Sequence, residues 1–133
     1  MIMERRAEEG ESVRSSVRNK GGVAEFISCD VSRPRDIAET VRKTITLYGG
    51  VNTSSNNAGI GGPETFPYET QAQWDYVIEV NLNGVFEMCN RIWPIMVKGG
   101  GGTIVNMSLG AVVTGFSPFL KRTQAVSLQP GIL

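Results

Sequence analysis

Histidine is absent from the 133 residues. Without an imidazole, a Ser-His-Asp triad, a His-ligated metal and a His general base are excluded together. Cysteine is scarce: Cys29 and Cys89 lie far apart and form no C-x-x-C pattern. They read as small apolar residues of a reducing compartment, and no metal site is expected. Excess charge is also missing, since 13 Lys and Arg balance 13 Asp and Glu. That removes the electrostatic ground for binding nucleic acid or an anionic membrane. No segment approaches the roughly 20 apolar residues of a membrane span. The amino terminus is charged, unlike a signal segment. A cytoplasmic protein with neither nucleic-acid nor membrane partners is expected. The length suits one domain with a core, not two.

What is present is an alternation of helical and extended patterns. Residues 4–19 read as a polar helix in which Arg5, Arg6, Arg14 and Arg18 interleave with Glu4, Glu8, Glu9 and Glu11, the pattern of a solvated face. Gly21 and Gly22 stop it, and residues 23–28 read as a short strand. Pro34 opens a helix after Ser32 as its cap, with Ile37, Val41, Ile45 and Tyr48 on one face. Residues 51–56 have the length of a strand, followed by a Gly/Pro-rich loop over 57–69. A short helix near 72–80 leads into a longer one near 81–98, striped by Leu82, Val85, Cys89, Ile92 and Met96. Pro94 predicts a kink or an early end there. Residues 103–107 form a last strand, and 116–133 show no firm period. Alternating helices and strands predict an α/β fold with a parallel sheet.

Several residues stand at places where such a fold does chemistry. Ligands of a doubly wound sheet sit beyond the carboxyl ends of the strands. Asp30, the run Asn56-Asn57-Ala58-Gly59 and Ser108 all fall there. A carboxylate such as Asp30 can accept a hydrogen bond from an amino group, or it can merely build the turn before Pro34. Ala58 and Gly59 carry little side chain, so a sugar can approach the backbone. Asn81 interrupts an apolar helix start, where Asn competes for backbone groups, or it caps one helix onto the next. Gly59-x-Gly61-Gly62 and Gly99–Gly102 lack the strand–turn–helix context of a phosphate loop.

Asp30-Val31, Asn56–Gly59, Val80-Asn81-Leu82-Asn83-Gly84 and Ile104–Ser108, in that order and with Trp74 and Pro94-x-Met96, resemble the central part of the classical short-chain dehydrogenase/reductase family. The resemblance spans about residues 5–115. It implies an incomplete Rossmann-type doubly wound parallel sheet that lacks the first two strands. The chain is then one partial NAD(P)-binding domain over 1–133 with a divergent tail at 116–133. It further implies NAD or NADP as cofactor and a small alcohol or carbonyl as substrate. Asp30, Val31, Asn57, Ala58 and Gly59 become cofactor contacts, and Asn81 and Ser108 the catalytic candidates. In the family the residue matching Asn81 holds a water linked to the catalytic lysine. A homo-oligomer through the helix at 81–98 is implied as well.

The departures from the family pattern are as informative. The Gly-rich phosphate turn is missing, and with it the strand end that selects NAD or NADP. The family's serine slot falls on Leu109, so Ser108 is one residue early and faces the other way in an extended segment. Tyr-x-x-x-Lys is absent, and Tyr48, Tyr68 and Tyr76 all lie upstream. A tyrosine near its ordinary pKa of about 10 needs such a lysine to exchange protons near neutrality. The strand at 51–56 carries Asn52, Thr53, Ser54 and Ser55, whereas a parallel strand covered on both faces should be apolar. An oxidoreductase fragment inactive by itself is therefore expected. A non-catalytic dimerisation or binding module and a truncated product without function are the alternatives.

Overall fold

Parallel strands cannot be joined by tight turns, so each must be followed by a crossover, usually a helix. The computed structural model, which describes residues 1–61 and 68–108, shows that arrangement. In chain order come β1 (Ile2–Glu4), α1 (Ala7–Asn19), β2 (Phe26–Ser28) and α2 (Pro34–Tyr48). They are followed by β3 (Thr53–Asn56), α3 (Gln71–Ile78), a π-helical turn (Glu79–Asn83), α4 (Gly84–Lys98) and β4 (Thr103–Asn106). β1 pairs in parallel with β2, and β3 in parallel with β4. Among the described residues the two pairs do not join, so the sheet is divided into two halves.

The layers follow from the pleat. Registered residues of a parallel pair point to the same face. Phe26 lies against Gly10 of α1, so close that a Cβ on Gly10 would stand 2.1 Å from the ring. Met3, one position out of step with Phe26's partner Ile2, packs instead on the core formed by α2 and α4. Helices thus cover opposite faces of β1–β2, as in a doubly wound fold. Cys29, Ile37, Val41, Met88, Ile92 and Met96 form the core, and Met3, Val51 and Ile104 pack against it from both half-sheets.

Four sequence expectations are corrected. The chain does not enter in a helix: β1 precedes α1 and takes the place beside β2 that the family gives its second strand. Three residues are too few to show a period. Ser32 does not cap α2. Arg33 holds the cap position without a side-chain bond, and the Ser32 hydroxyl donates to Asp30 Oδ1 at 2.7 Å. Pro94 does not end α4 early, since the helix runs on to Lys98. Its missing N–H deprives only the Asn90 carbonyl, on an exposed face that water reaches. The buried stripe of α4 is Gly84, Met88, Ile92 and Met96, with Cys89 at its edge.

The polar strand also finds its explanation. Thr53 and Ser55 are exposed in β3, while Ser54 and Asn56 face the helix layer and are half-buried. Asn56 Nδ2 donates to Asn106 Oδ1 at 2.8 Å, so the amide pair ties β3 to β4. The cost of burying lone hydroxyls is largely not incurred. α2 ends as expected at Gly49, whose φ of 80° suits glycine. Among the described residues no helix is long and apolar enough to cross a membrane.

Ile37 is fully buried and Val23 is 85% exposed. Replacing Ile37 with Ala should cost about 2–5 kcal/mol in urea unfolding. Val23→Ala should stay within about 0.5 kcal/mol. Equal effects would show that α2 does not carry the core.

Candidate active site

Strands run parallel within each pair, and the residues that follow β1, β2 and β3 come together on one side. A cavity of about 460 Å³ lies there. Its walls are Glu4–Arg6 after β1, Cys29–Val31 after β2 and Asn56–Ile60 at and after β3. Val80, Gly84, Val85 and Met88 close it from the π turn and α4. The five residues expected at a cofactor, Asp30, Val31, Asn57, Ala58 and Gly59, therefore meet in one place.

Asp30 is held firmly. Its Oδ1 accepts from the Ser32 amide at 3.0 Å and from the Ser32 hydroxyl at 2.7 Å. Its own N–H donates to Asp36 Oδ2 at 3.1 Å. Burial pushes the carboxyl up, but the Ser32 hydroxyl and amide, then Arg33 and Arg5, bring it below the ordinary value. Asp30 is thus a turn-building residue and an ionised wall of the cavity at once. Val31 sits beneath Gly84: a Cβ on that glycine would meet the Val31 carbonyl oxygen at 2.8 Å. Glycine here lets the start of α4 touch the loop after β2.

Asn81 is not a cap. It lies inside the π turn, where the Gly84 amide reaches back five residues to the Glu79 carbonyl. Its Oδ1 accepts from Ile60 N–H at 2.8 Å, and its Nδ2 donates to the Ile60 carbonyl at 2.9 Å. One side chain thereby fixes the loop that follows β3. Gly59 has no positive φ, and a Cβ on it would meet only Asn81 Oδ1 at an ordinary 3.5 Å. Neither packing nor conformation requires glycine there.

Sequence reasoning missed Glu4, Arg5 and Arg6, read as one face of a helix. They stand at the end of β1 and line the cavity. The end of β1 is therefore a wall of this cavity. Glu4 Oε1 accepts from the Arg6 amide and guanidinium, each at 3.0 Å, and both hold its carboxyl below the usual range. Arg5 Nη1 donates to the Tyr76 hydroxyl at 2.8 Å. The apolar Ile2–Met3 before a run of charges was the only sign of a strand end.

Ser108 is exposed just past β4 and does not line this cavity. Leu109, the segment where Tyr-x-x-x-Lys was sought and the tail at 116–133 lie outside the described residues. Burial raises both thiols, Cys29 and Cys89, so neither is a ready nucleophile.

Two outcomes follow. Asn81→Leu leaves the Ile60 amide and carbonyl without their partners and should cost about 1–3 kcal/mol. Amide exchange at residues 57–60 should rise well before that of the core. A carboxyl lowered in the folded state stabilises above its unfolded pKa, and this is lost as pH falls through the folded value. Melting temperature should therefore drop below about pH 4, and less steeply in Asp30→Asn.

Residues 1–120 match the family model for short chain dehydrogenases. An uncharacterized oxidoreductase of Thermotoga maritima is 33% identical over 109 residues, covering 81% of this chain and 42% of the relative. A 3beta-hydroxysteroid dehydrogenase of Mediterraneibacter gnavus is 34% identical over 127 residues, covering 92% of this chain and 46% of the relative. The chain thus spans less than half the length of these relatives. A metagenomic short-chain oxidoreductase solved in complex with NADP gives a TM-score of 0.86 at 26% identity, covering 93% of this chain and 57% of the other. An NAD+-bound xylitol dehydrogenase gives 0.86 at 25% identity, over 93% and 48% of the respective chains. The parallel ladders, the motifs at their ends and these matches lead to one assignment: the chain belongs to the short-chain dehydrogenase family, with an incomplete Rossmann-type fold.

Proposed function

We propose that this chain binds the adenosine end of NAD(P), with a preference for NADP, and that by itself it turns over no substrate. The observation that carries the reading is the convergence of Asp30, Asn57–Gly59 and Arg5–Arg6 on one cavity at the strand ends. Asp30 and Val31 would flank the adenine. Ala58 and Gly59 would leave room for a ribose. Arg5 and Arg6 line the cavity with the carboxylates of Glu4 and Asp30, and Arg6 is ion-paired to both Glu4 and Glu9. Arg5, whose guanidinium donates to the neutral Tyr76 hydroxyl, is the cation that would meet a 2′-phosphate.

In the family the bound cofactor exchanges a hydride with an alcohol or carbonyl, and an acid/base group completes the step. This chain contributes binding, orientation and a fixed loop. Asn81 acts as a positioning residue through Ile60, and Ser108 stays the candidate hydroxyl on the substrate side. No tyrosine stands four residues before a lysine to exchange the substrate proton. Cytoplasmic location agrees with this reading.

A second reading has its own observation. Phe86, Trp93 and Val97 are 67%, 61% and 62% exposed along one stripe of α4. Such a stripe fits a non-catalytic module that pairs through this helix. Sedimentation of a dimer that Trp93→Glu converts to monomer would support it.

Adenosine 2′,5′-bisphosphate should bind more tightly than 5′-AMP in calorimetric titration. Arg5→Ala combined with Arg6→Ala should reduce that preference about tenfold, the equivalent of one charge-assisted hydrogen bond. Gly59→Ile should abolish binding at unchanged melting temperature. Equal affinity for both nucleotides would overturn the NADP assignment. Nicotinamide absorbance should not change when alcohols or ketones are added to the pure chain.

A further inference from the structure

The two arginines at the end of β1 differ in what already holds them. Arg6 donates to the Glu4 carboxylate at 3.0 Å and stands 3.1 Å from that of Glu9. Its charge is matched twice by neighbours. Among the described residues, Arg5 has no carboxylate within ion-pairing distance. Its Nη1 donates instead to the Tyr76 hydroxyl at 2.8 Å. A hydroxyl orients a guanidinium without neutralising it, and one such bond leaves the other N–H donors free.

Tyr76 is itself fixed from behind. It stands on α3, whose first turn is closed by a capping box between Thr70 and Gln73. The other end of α3 runs into the π turn, where Asn81 grips Ile60 and Gly84 rests on Val31. Tyr76 is 41% exposed and is no part of the cavity wall, whereas Arg5 is. Tyr76 therefore reaches the site only through Arg5. The competing partner for that guanidinium is Asp30, which faces the same cavity and whose carboxyl the Arg5 charge helps to lower. A guanidinium released from Tyr76 and drawn onto Asp30 would be neutralised. It would also have to be ordered afresh when a ligand binds.

We propose that Tyr76 is a positioning residue that sets nucleotide specificity: it holds Arg5 at the cavity as an unneutralised cation, and so directs the site to a nucleotide with a phosphate on its adenosine 2′ oxygen. Arg5, and not Arg6, then supplies the discrimination. This role rests on the nucleotide reading of the cavity given above and deepens it.

The test is calorimetric titration of adenosine 2′,5′-bisphosphate and of 5′-AMP into the full chain and into Arg5→Ala, Tyr76→Phe and the two combined. Tyr76→Phe should weaken the bisphosphate about fivefold, the worth of one hydrogen bond, and change 5′-AMP less than about twofold. In the Arg5→Ala background the same substitution should change nothing, because Tyr76 acts through Arg5. Nuclear relaxation of the guanidinium nitrogens gives a readout that needs no nucleotide. Arg5 Nε should be ordered in the unaltered chain, and in Tyr76→Phe as mobile as Nε of the exposed Arg35. A Tyr76→Phe effect that persists without Arg5, or that weakens both nucleotides equally, shows a merely structural role and overturns the proposal. So does an Arg5 side chain equally mobile with and without the Tyr76 hydroxyl. If neither nucleotide binds the unaltered chain, the nucleotide reading fails and this role fails with it. A full preference for the bisphosphate retained in Tyr76→Phe overturns this role alone.

Discussion

The seam between α2 and α4 is the constraint on which the rest depends. Among the described residues the half-sheets share no ladder, so packing on this helix pair sets one against the other. Ile37 and Val41 from α2 meet Met88, Ile92 and Met96 from α4. Met3 reaches the seam from one half-sheet, and Val51 and Ile104 reach it from the other. In an unbroken parallel sheet, hydrogen bonds across every strand would fix the spacing. Here packing must do so, and packing is less directional than a ladder. The strand ends that build the cavity keep their relative positions only while this apolar layer is filled.

The widened turn at Glu79–Asn83 connects the seam to the site. An extra residue in the helical repeat lets one segment serve two neighbours. Gly84 presses the start of α4 against Val31 after β2. Three residues earlier, Asn81 grips Ile60 after β3. Loops belonging to different half-sheets are thus anchored to one short helical stretch. A polar residue in an apolar helix start costs helix stability in isolation. Its two hydrogen bonds to an otherwise unpaired loop backbone offset that.

Legibility in the sequence followed the length of the pattern. α2 was readable because Pro34, the apolar spacing and Gly49 agree at both ends and over the middle. That Asp30, Val31, Asn57, Ala58 and Gly59 meet at the strand ends was readable because short motifs after strands have few structural solutions. β1 was not readable: Ile2–Glu4 is too short to alternate, and the charges beyond it look like a helix surface. The roles of Arg5 and Arg6 were lost with it. Nor could the stripe of α4 be placed correctly. Ile92 and Met96 are buried as expected, but around the five-residue turn burial falls on Gly84 and Met88, with Leu82 and Val85 only half-buried.

The hydroxyls of β3 show how the same chemistry changes meaning with its surroundings. On a strand covered on both faces, Thr53 and Ser55 would be a defect. Here their face of β3 is exposed, so water satisfies them. Non-specific aggregation needs a flat, apolar edge, and a short strand carrying exposed hydroxyls does not present one.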